Sequence, residues 1–380
     1  MLQIKRFFSP SQSSYFLLGP RGTGKTTLLK NTYKNALYID LLLAANFVNY
    51  SNNPDRLIDF VAANPHKQIV IIDEIQQVPE LLSVIHYLIE NNKNLQFILT
   101  GSSARKLKKE NINLLGGRAI PKYMHPFLAS ELKKHFQLDD ALKYGLLPVI
   151  FTSTNKKEQL DAYINLYLKE EIQMEGLTRN IGNFTKFLEI ISFSHGSILN
   201  ISNIAREAKI DRKVTASYLQ ILEDLLLSYR LNVFVKRAKR NLVSMPKFYF
   251  FDTGVYNFLR PKGQLDRPEE IAGMALEGLV LQNIYAYLDS QNIDANVFYW
   301  KTKSGVEVDF IVYGQDCFIA LEVKNAASLR KNQLKGLKAF KQDYPEAKSY
   351  LLYRGAEQIL IDDILAIPIE KFLVDIEQYL

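Results

Sequence analysis

The chain has 380 residues, 47% of them hydrophobic and 23% charged, with a formal net charge of +7 and one cysteine, Cys317. That length predicts two or three domains, and a lone cysteine excludes an intrachain disulfide framework and fits a reducing, cytoplasmic setting. No apolar run approaches the roughly 18 residues of a membrane span, and no apolar run behind a basic start marks a secretory leader. The five histidines are scattered without ligand spacing, so a zinc site is not expected. Residues 1–150 carry 18 Lys+Arg against 11 Asp+Glu, 151–245 carry 14 against 10, and 246–380 carry 15 against 19. The basic excess of the first two thirds permits nucleic-acid contact; an ordinary solvated surface accounts for it equally well.

In chain order, YFLL (15–18) is a short apolar run feeding a glycine loop, and TTLLKNTYK predicts a helix. NALYIDL (35–41) reads as a second strand. PDRLIDFVAAN (54–64) has helical spacing, with Asn53 as a cap before Pro54. QIVII (68–72) is a buried strand delivering Asp73 and Glu74, Pro79 opens the helix of ELLSVIHYLIEN, and LQFILTG (95–101) is a further strand. Strands alternating with helices at this rhythm predict a parallel sheet covered on both faces. Past residue 130 the texture turns helical, in LDAYINLYLKEEIQM (160–174), NISNIAREAKI and DRKVTASYLQILEDLLLSYRL. From 246, KFYFFD, NVFYWKTK, EVDFIVY and FIALEVK read as strands, LEGLVLQNIYAYL (276–288) and LRKNQLKGLKAFKQDY (329–344) as helices. Boundaries are expected near 155 and 247, dividing the chain into 1–155, 156–247 and 248–380.

The run GPRGTGKTT comprises Gly19, Pro20, Arg21, Gly22, Thr23, Gly24, Lys25, Thr26 and Thr27, with the spacing G-x-x-x-x-G-K-T of a Walker A loop. Glycines let the backbone wrap so that successive N–H groups face phosphate oxygens. Lys25 supplies a point charge to the β and γ phosphates, and the Thr26 hydroxyl is a magnesium ligand. Asp73 and Glu74 close an apolar strand where ligands sit in open α/β sheets; Asp73 is read as the Mg²⁺ partner and Glu74 as the group polarising the attacking water. At the end of FILTGSSARKL, Ser102 is the first candidate to touch the γ-phosphate or the water, with Thr100 and Ser103 close behind. A helix-capping serine explains Ser102 as well. Arg118, after two glycines in NLLGGRAI, is a candidate to reach a neighbouring subunit's nucleotide, with Arg105 as its rival and an ordinary surface arginine as the bland alternative.

The run GPRGTGKTTLL, IVIIDEIQQVPELL, FILTGSSARKL, LLGGRA and HPFLASEL resembles the AAA+ superfamily ATPases of bacteria and archaea in which a C-terminal domain of unknown function follows the ATPase module. YGLLPVI, with Gly145 and Pro148, is a looser version of that family's Gly-x-Pro box. The resemblance spans nearly the whole chain. It implies ATP as the nucleotide, a core of about five parallel strands, a small helical lid beginning near 130, and assembly into rings or lower oligomers.

In the middle segment, ISNIAREAKI and a second helix starting at Asp211 read as a helix-turn-helix, with Arg212 and Lys213 at the second helix's N-terminus. A strand pair carrying Lys236, Arg237, Lys239 and Arg240 would form a basic wing, the whole being a winged helix that binds DNA or, equally, a protein. Downstream, Asp309, Glu322 and Lys324 follow the pattern D-x12-E-x-K, and strand alternation puts Glu322 and Lys324 on one face. Two carboxylates can hold Mg²⁺ or Mn²⁺ with a lysine beside them activating water for phosphodiester cleavage. Glu277, on an upstream helix, would complete the metal shell. This is similar to the PD-(D/E)XK nuclease core, which the resembled family's C-terminal domain also carries. Lys301, Lys303, Lys331 and Lys335 are candidate phosphate contacts. Cys317 and Trp300 read as packing residues, and Asp252 as a turn residue beside Gly254.

The fold expectation is therefore α/β: a P-loop AAA+ core with a helical lid, a winged helix and a nuclease-like domain. The functional expectation is a Mg²⁺-dependent ATPase acting on DNA, with metal-dependent cleavage as an output. The alternative is a nucleotide-gated switch or scaffold binding a protein partner, its nuclease-like domain inactive. No membrane partner is expected.

Overall fold

The computed structural model describes residues 4–102, 114–168 and 180–380. They divide into two compact units, one of Phe8–His125 with Asp224–Leu226, the other of Met1–Phe7, Pro126–Glu223 and Leu227–Leu380. The residues from near 130 to 155, expected as a lid on the ATPase module, thus group with the C-terminal half.

The first unit is a five-stranded, wholly parallel sheet in the order β2-β3-β4-β1-β5. Its strands are β1 (Tyr15–Leu18), β2 (Leu37–Asp40), β3 (Ile69–Asp73), β4 (Gln96–Gly101) and β5 (Ile120–Tyr123). Helices α1 (Lys25–Thr32), α2 (Ala44–Asn52), α3 (Arg56–Ala62) and α4 (Leu81–Asn91) connect them. Alternation along β1 sends Tyr15 and Leu17 into a core with Leu29 and Ile71, and Phe16 and Leu18 into a second core with Ile72, Leu81 and Phe97. A strand covered on both faces must read as a continuous apolar run, as YFLL and IVII do. The helix expected from Pro54 starts at Arg56, behind Asp55 rather than Asn53. Helix α2, whose AANFVNYSN lacks a clear apolar stripe, lies outside the sequence expectation.

In the second unit, short helices over 129–162 lead to α5 (Ile181–Ser192), β6 (Ser197–Ile198), α6 (Ile201–Ala208), α7 (Arg212–Asp224), β7 (Ser228–Leu231) and β8 (Lys247–Phe250). The three strands form an antiparallel sheet in the order β6-β8-β7. Asn180 and Asn200 cap α5 and α6 with their side chains, and Asp211 accepts from the Lys213 N–H at the head of α7 (2.7 Å). The basic segment departs from expectation: 232–246 forms no strand pair. Val233 and Leu242 instead make isolated bridges to Tyr299 and Thr302 of the C-terminal part. Phe234 is buried there among Phe298, Tyr313, Phe318, Phe340 and Tyr344. An apolar residue beside the basic run found a core to fill, and that outweighed local hairpin formation. The boundary expected at 247 consequently falls at the first residue of β8, inside a sheet.

Helix α8 (Thr253–Leu259) follows, capped by Asp252, then α9 (Pro268–Gln291). Asp252 is more than a turn residue. It is buried and accepts from the N–H groups of Gly254 (2.9 Å), Val255 (3.3 Å) and Leu146 (2.8 Å). Gly145 packs against it at φ +76, and a Cβ there would lie 1.9 Å from the carboxylate, so the YGLLP turn needs its glycine. Helix α9 is long and apolar enough by composition to cross a membrane, contrary to the sequence expectation, but two thirds of that window is buried inside the protein, which marks a core helix. A six-stranded sheet in the order β13-β14-β12-β11-β10-β9 completes the unit, comprising β9 (Ala295–Lys301), β10 (Glu307–Gly314), β11 (Phe318–Lys324), β12 (Lys348–Tyr353), β13 (Ile359–Ile361) and β14 (Ile364–Pro368). Helix α10 (Lys335–Asp343) packs on it through Leu337 and Phe340.

Candidate functional site

The nucleotide-binding expectation falls on the C-terminal ends of β1, β3 and β4. Gly19 follows β1 with no room for a side chain: a Cβ would sit 2.3 Å from the Met124 carbonyl oxygen. Thr23 donates across the loop to the Pro20 carbonyl (2.8 Å). Lys25, buried at the head of α1, donates to the carbonyls of Gly19 (2.6 Å) and Pro20 (3.2 Å). Arg21 and Gly22 are half-buried on the loop and Thr27 is exposed on the first turn. No acidic residue stands in that turn, so the helix terminus keeps its affinity for anions.

Asp73 ends β3 at 3% exposure and is held by three hydroxyls. Its Oδ2 accepts from Thr26 (2.7 Å) and from the Tyr38 phenol, and its Oδ1 accepts from Thr100. Burial, then the Asp73 charge, push the Tyr38 phenol far above its ordinary pKa, so it stays a donor at neutral pH. Thr100 in turn accepts the Glu74 backbone N–H (2.9 Å). Glu74 sits in the left-handed region at φ 62, ψ 50, which costs a non-glycine residue about 1–2 kcal/mol. Its Oε2 accepts from Gln76 Nε2 (2.5 Å), and the same amide reaches Ser102 Oγ (3.2 Å). Thr26, Asp73, Thr100, Glu74 and Ser102 therefore share one hydrogen-bond network, with Thr100 on Asp73 and Ser102 joined through Gln76. Tyr38 and Gln76 were missed from sequence; the only signals were a phenol on a buried strand and a polar residue directly after D-E-I.

Mg²⁺ fits this donor set. The Thr26 hydroxyl and Asp73 carboxylate are hard oxygens at hydrogen-bond distance on the sheet edge, and Mg²⁺ is ordinarily held by one or two carboxylates with substrate phosphates. Arg118 is exposed and its guanidinium is turned onto Glu90 and the Leu115 carbonyl of its own unit. Ser103, Arg105 and the Lys331 side chain lie outside the described residues.

In the second unit, Asp309, Glu322, Lys324 and Glu277 come from β10, β11 and α9. The β9–β10 register shifts between Val308 and Ile311, an irregularity that brackets Asp309. Asp309 Oδ2 there accepts the Val323 N–H (2.8 Å). Glu322 Oε1 accepts from Lys324 Nζ (2.5 Å), while its buried Oε2 has no hydrogen-bond partner among the described residues. Glu277 accepts from the Tyr249 phenol (3.2 Å). Lys247, absent from the sequence expectation, enters the group from β8. Its Nζ pairs with Glu307 and lies 3.9 Å from both Glu277 and Asp309. Lys301 binds Glu307 from the other side (2.6 Å). Burial first, then repulsion from Asp309, pushes the Glu277 carboxyl up to about 8, and the same two causes raise Glu322 well above the carboxylate range. Burial opposes the Lys324 charge, but Asp309 and Glu322 overcome it and raise its pKa. Among the described residues no group of three or more His, Cys, Asp or Glu side chains is arranged to hold a metal ion. The four expected residues thus share one charged cluster, which Lys247 joins from β8. Lys303 and Lys335 are exposed.

Residues 11–133 match an AAA domain, 135–266 a domain of unknown function (DUF8612) and 272–372 another (DUF4143). The first match, on a parallel sheet carrying a P-loop, supports an ATPase module of AAA+ type in that segment. Similar proteins include uncharacterized proteins of Mycobacterium tuberculosis (23% identical, 94% of this chain and 80% of the relative) and Methanocaldococcus jannaschii (25%; 91% and 84%). Another is an uncharacterized protein of Haemophilus influenzae (22%; 94% and 93%). Among solved structures, domain III of the Thermotoga maritima replication initiation protein DnaA matches with a TM-score of 0.26 at 16% identity, over 44% of this chain and 80% of that one. The replication initiator DnaA bound to AMPPCP and single-stranded DNA gives 0.26 at 15%, over 56% and 82%. Scores this low carry no argument about this chain.

Proposed function

We propose that the protein is a Mg²⁺-dependent ATPase of AAA+ type that spends hydrolysis on a nucleic-acid transaction through its 126–380 part. The observation carrying the ATPase half is the network that ties Thr26, Asp73, Thr100 and Glu74 together beside Lys25. Bound Mg²⁺ would neutralise charge on the β and γ phosphates. Lys25 would leave the Gly19 and Pro20 carbonyls for the phosphate oxygens, with the 19–24 backbone wrapping the chain. Thr26 and Asp73 would hold the ion, Glu74 would orient and polarise the attacking water, and Ser102, through Gln76, would report on the γ-phosphate. Arg118, or Arg105, would act on a nucleotide in a neighbouring copy of a homo-oligomer. Lys25→Ala should lower steady-state turnover by about 10²-fold or more; turnover equal to wild type would remove the site assignment.

The nucleic-acid half is supported by the order α5–β6–α6–α7–β7–β8 with its β6-β8-β7 sheet, which suits a winged helix, and by exposed Arg212 and Lys213 at the start of α7. A second reading, a nucleotide-gated switch on a protein partner, is favoured by the basic segment. Arg240 is committed to Asp343 (2.7 Å) and Lys236 lies over the Tyr313 ring. A salt titration of DNA binding separates the two. Affinity falling steeply with salt, and weakened by Arg212→Ala with Lys213→Ala, supports the first; no binding at low salt supports the second.

A further inference from the structure

The buried ammonium of Lys247 lies among carboxylates where a divalent cation was expected, and we infer that it takes that cation's place between Glu277 and Asp309. Lys247 is 3% exposed, on the first residue of β8, so it belongs to the three-stranded sheet, whereas Glu307 and Asp309 lie on the six-stranded sheet and Glu277 on α9. Its Nζ touches Glu307 and stands 3.9 Å from Glu277 Oε2 and 3.9 Å from Asp309 Oδ1. The Tyr299 ring lies 5.4 Å away, a second favourable surface for the charge. Each acid also has a fixed hydrogen-bonding partner: Tyr249 on Glu277, the Val323 N–H on Asp309, Lys301 on Glu307.

A buried ammonium keeps its charge when carboxylates surround it, and two buried carboxylates stay close when a cation lies between them or one of them holds a proton. A tethered lysine meets both requirements without free metal. A divalent ion at the same point would sit against the ammonium and be repelled by it. The cluster also pins β8 to β10 and α9, joining the helix-turn-helix segment to the six-stranded sheet through charge as well as packing. The C-terminal part then behaves as a metal-independent scaffold on its Glu277 side, and metal-dependent cleavage routed through Glu277 is not its chemistry.

The test uses the full-length, nucleotide-free protein and Mn²⁺ as probe. Glu277→Gln should change neither how much Mn²⁺ the protein binds by paramagnetic titration nor the difference in Tm between EDTA and millimolar Mn²⁺, since any ion at Thr26 and Asp73 contributes equally to both proteins. Lys247→Met should lower Tm in EDTA by roughly 5 °C or more, as breaking a buried ion pair does. Mn²⁺ should restore at least half of that loss by entering the vacated position. If Lys247→Met does not fold, the wild-type and Glu277→Gln titrations decide alone. Stoichiometric Mn²⁺ binding by wild type that is lost in Glu277→Gln would overturn the inference, as would a Lys247→Met protein that folds and gains nothing from Mn²⁺.

Discussion

Asp73 and Glu74 are chain neighbours with opposite degrees of restraint. Asp73 accepts three hydroxyl hydrogen bonds, whereas the Glu74 carboxylate is held through one amide, that of Gln76. A ligand to a metal benefits from fixed oxygens, and a group that polarises water benefits from a single partner it can release. The restraints are unequal in cost as well. Thr100→Val removes a donor to Asp73 and an acceptor for the Glu74 N–H at once, leaving two buried groups unpartnered. Tyr38→Phe removes one donor from an oxygen that keeps Thr26. At about 1–3 kcal/mol for each orphaned buried group, Thr100→Val should destabilise the first unit by about 2–6 kcal/mol and Tyr38→Phe by about 1 kcal/mol. Urea unfolding read from the P-loop unit checks the ranking, and an equal or reversed effect would mean that Thr100 is not the hub of the network.

At the scale of elements, two contacts hold the second unit's pieces in place. Phe234, next to the basic run, fills the aromatic cluster beneath α10, and Phe234→Ala should cost about 3–5 kcal/mol through the cavity it leaves. A loss under 1 kcal/mol would mean the 232–246 segment is free of the sheet. Asp252 joins the Gly145 turn to α8. Its burial, opposed by the backbone N–H groups of Leu146, Val255 and Gly254, leaves the carboxyl pushed up to about 6. The folded state therefore binds this proton more tightly than the unfolded chain, whose Asp titrates near 3.9. The resulting stability is present below about pH 4 and is lost as pH rises through 6, by at most about 3 kcal/mol. Asp252→Asn lacks the titration, so its cost relative to wild type should shrink between pH 4 and 7. A cost that grows with pH would show that the three N–H donors outweigh burial.

At the scale of the molecule, what could be read from the sequence divides by how local its cause is. The strand–loop–helix run carrying Gly19 to Thr27 and the strand ending at Asp73 were legible because period, turn chemistry and motif lie within a few residues of one another. Asp309, Glu322 and Lys324 could be read as neighbours because β10 and β11 pair in antiparallel register across a short connection. Lys247 was not, since nothing in KFYFFD shows that its first residue turns toward acids on two later elements. The basic strand pair failed for a similar reason: Lys236 to Arg240 have wing-like composition, but Val233 and Phe234 are claimed by a sheet that the chain has yet to form. Arg118 illustrates the limit from the other side, because its proposed role needs a second copy of the chain. In the proposed function the P-loop network hydrolyses ATP with Glu74 as the water-polarising group. The most direct measurement is a single-turnover assay with γ-labelled ATP and Mg²⁺ on wild type and Glu74→Gln, alongside nucleotide affinity for both. Closely similar affinities are expected, with phosphate release slowed about 10²–10⁴-fold in the variant; release at the wild-type rate by Glu74→Gln would contradict the role given to Glu74.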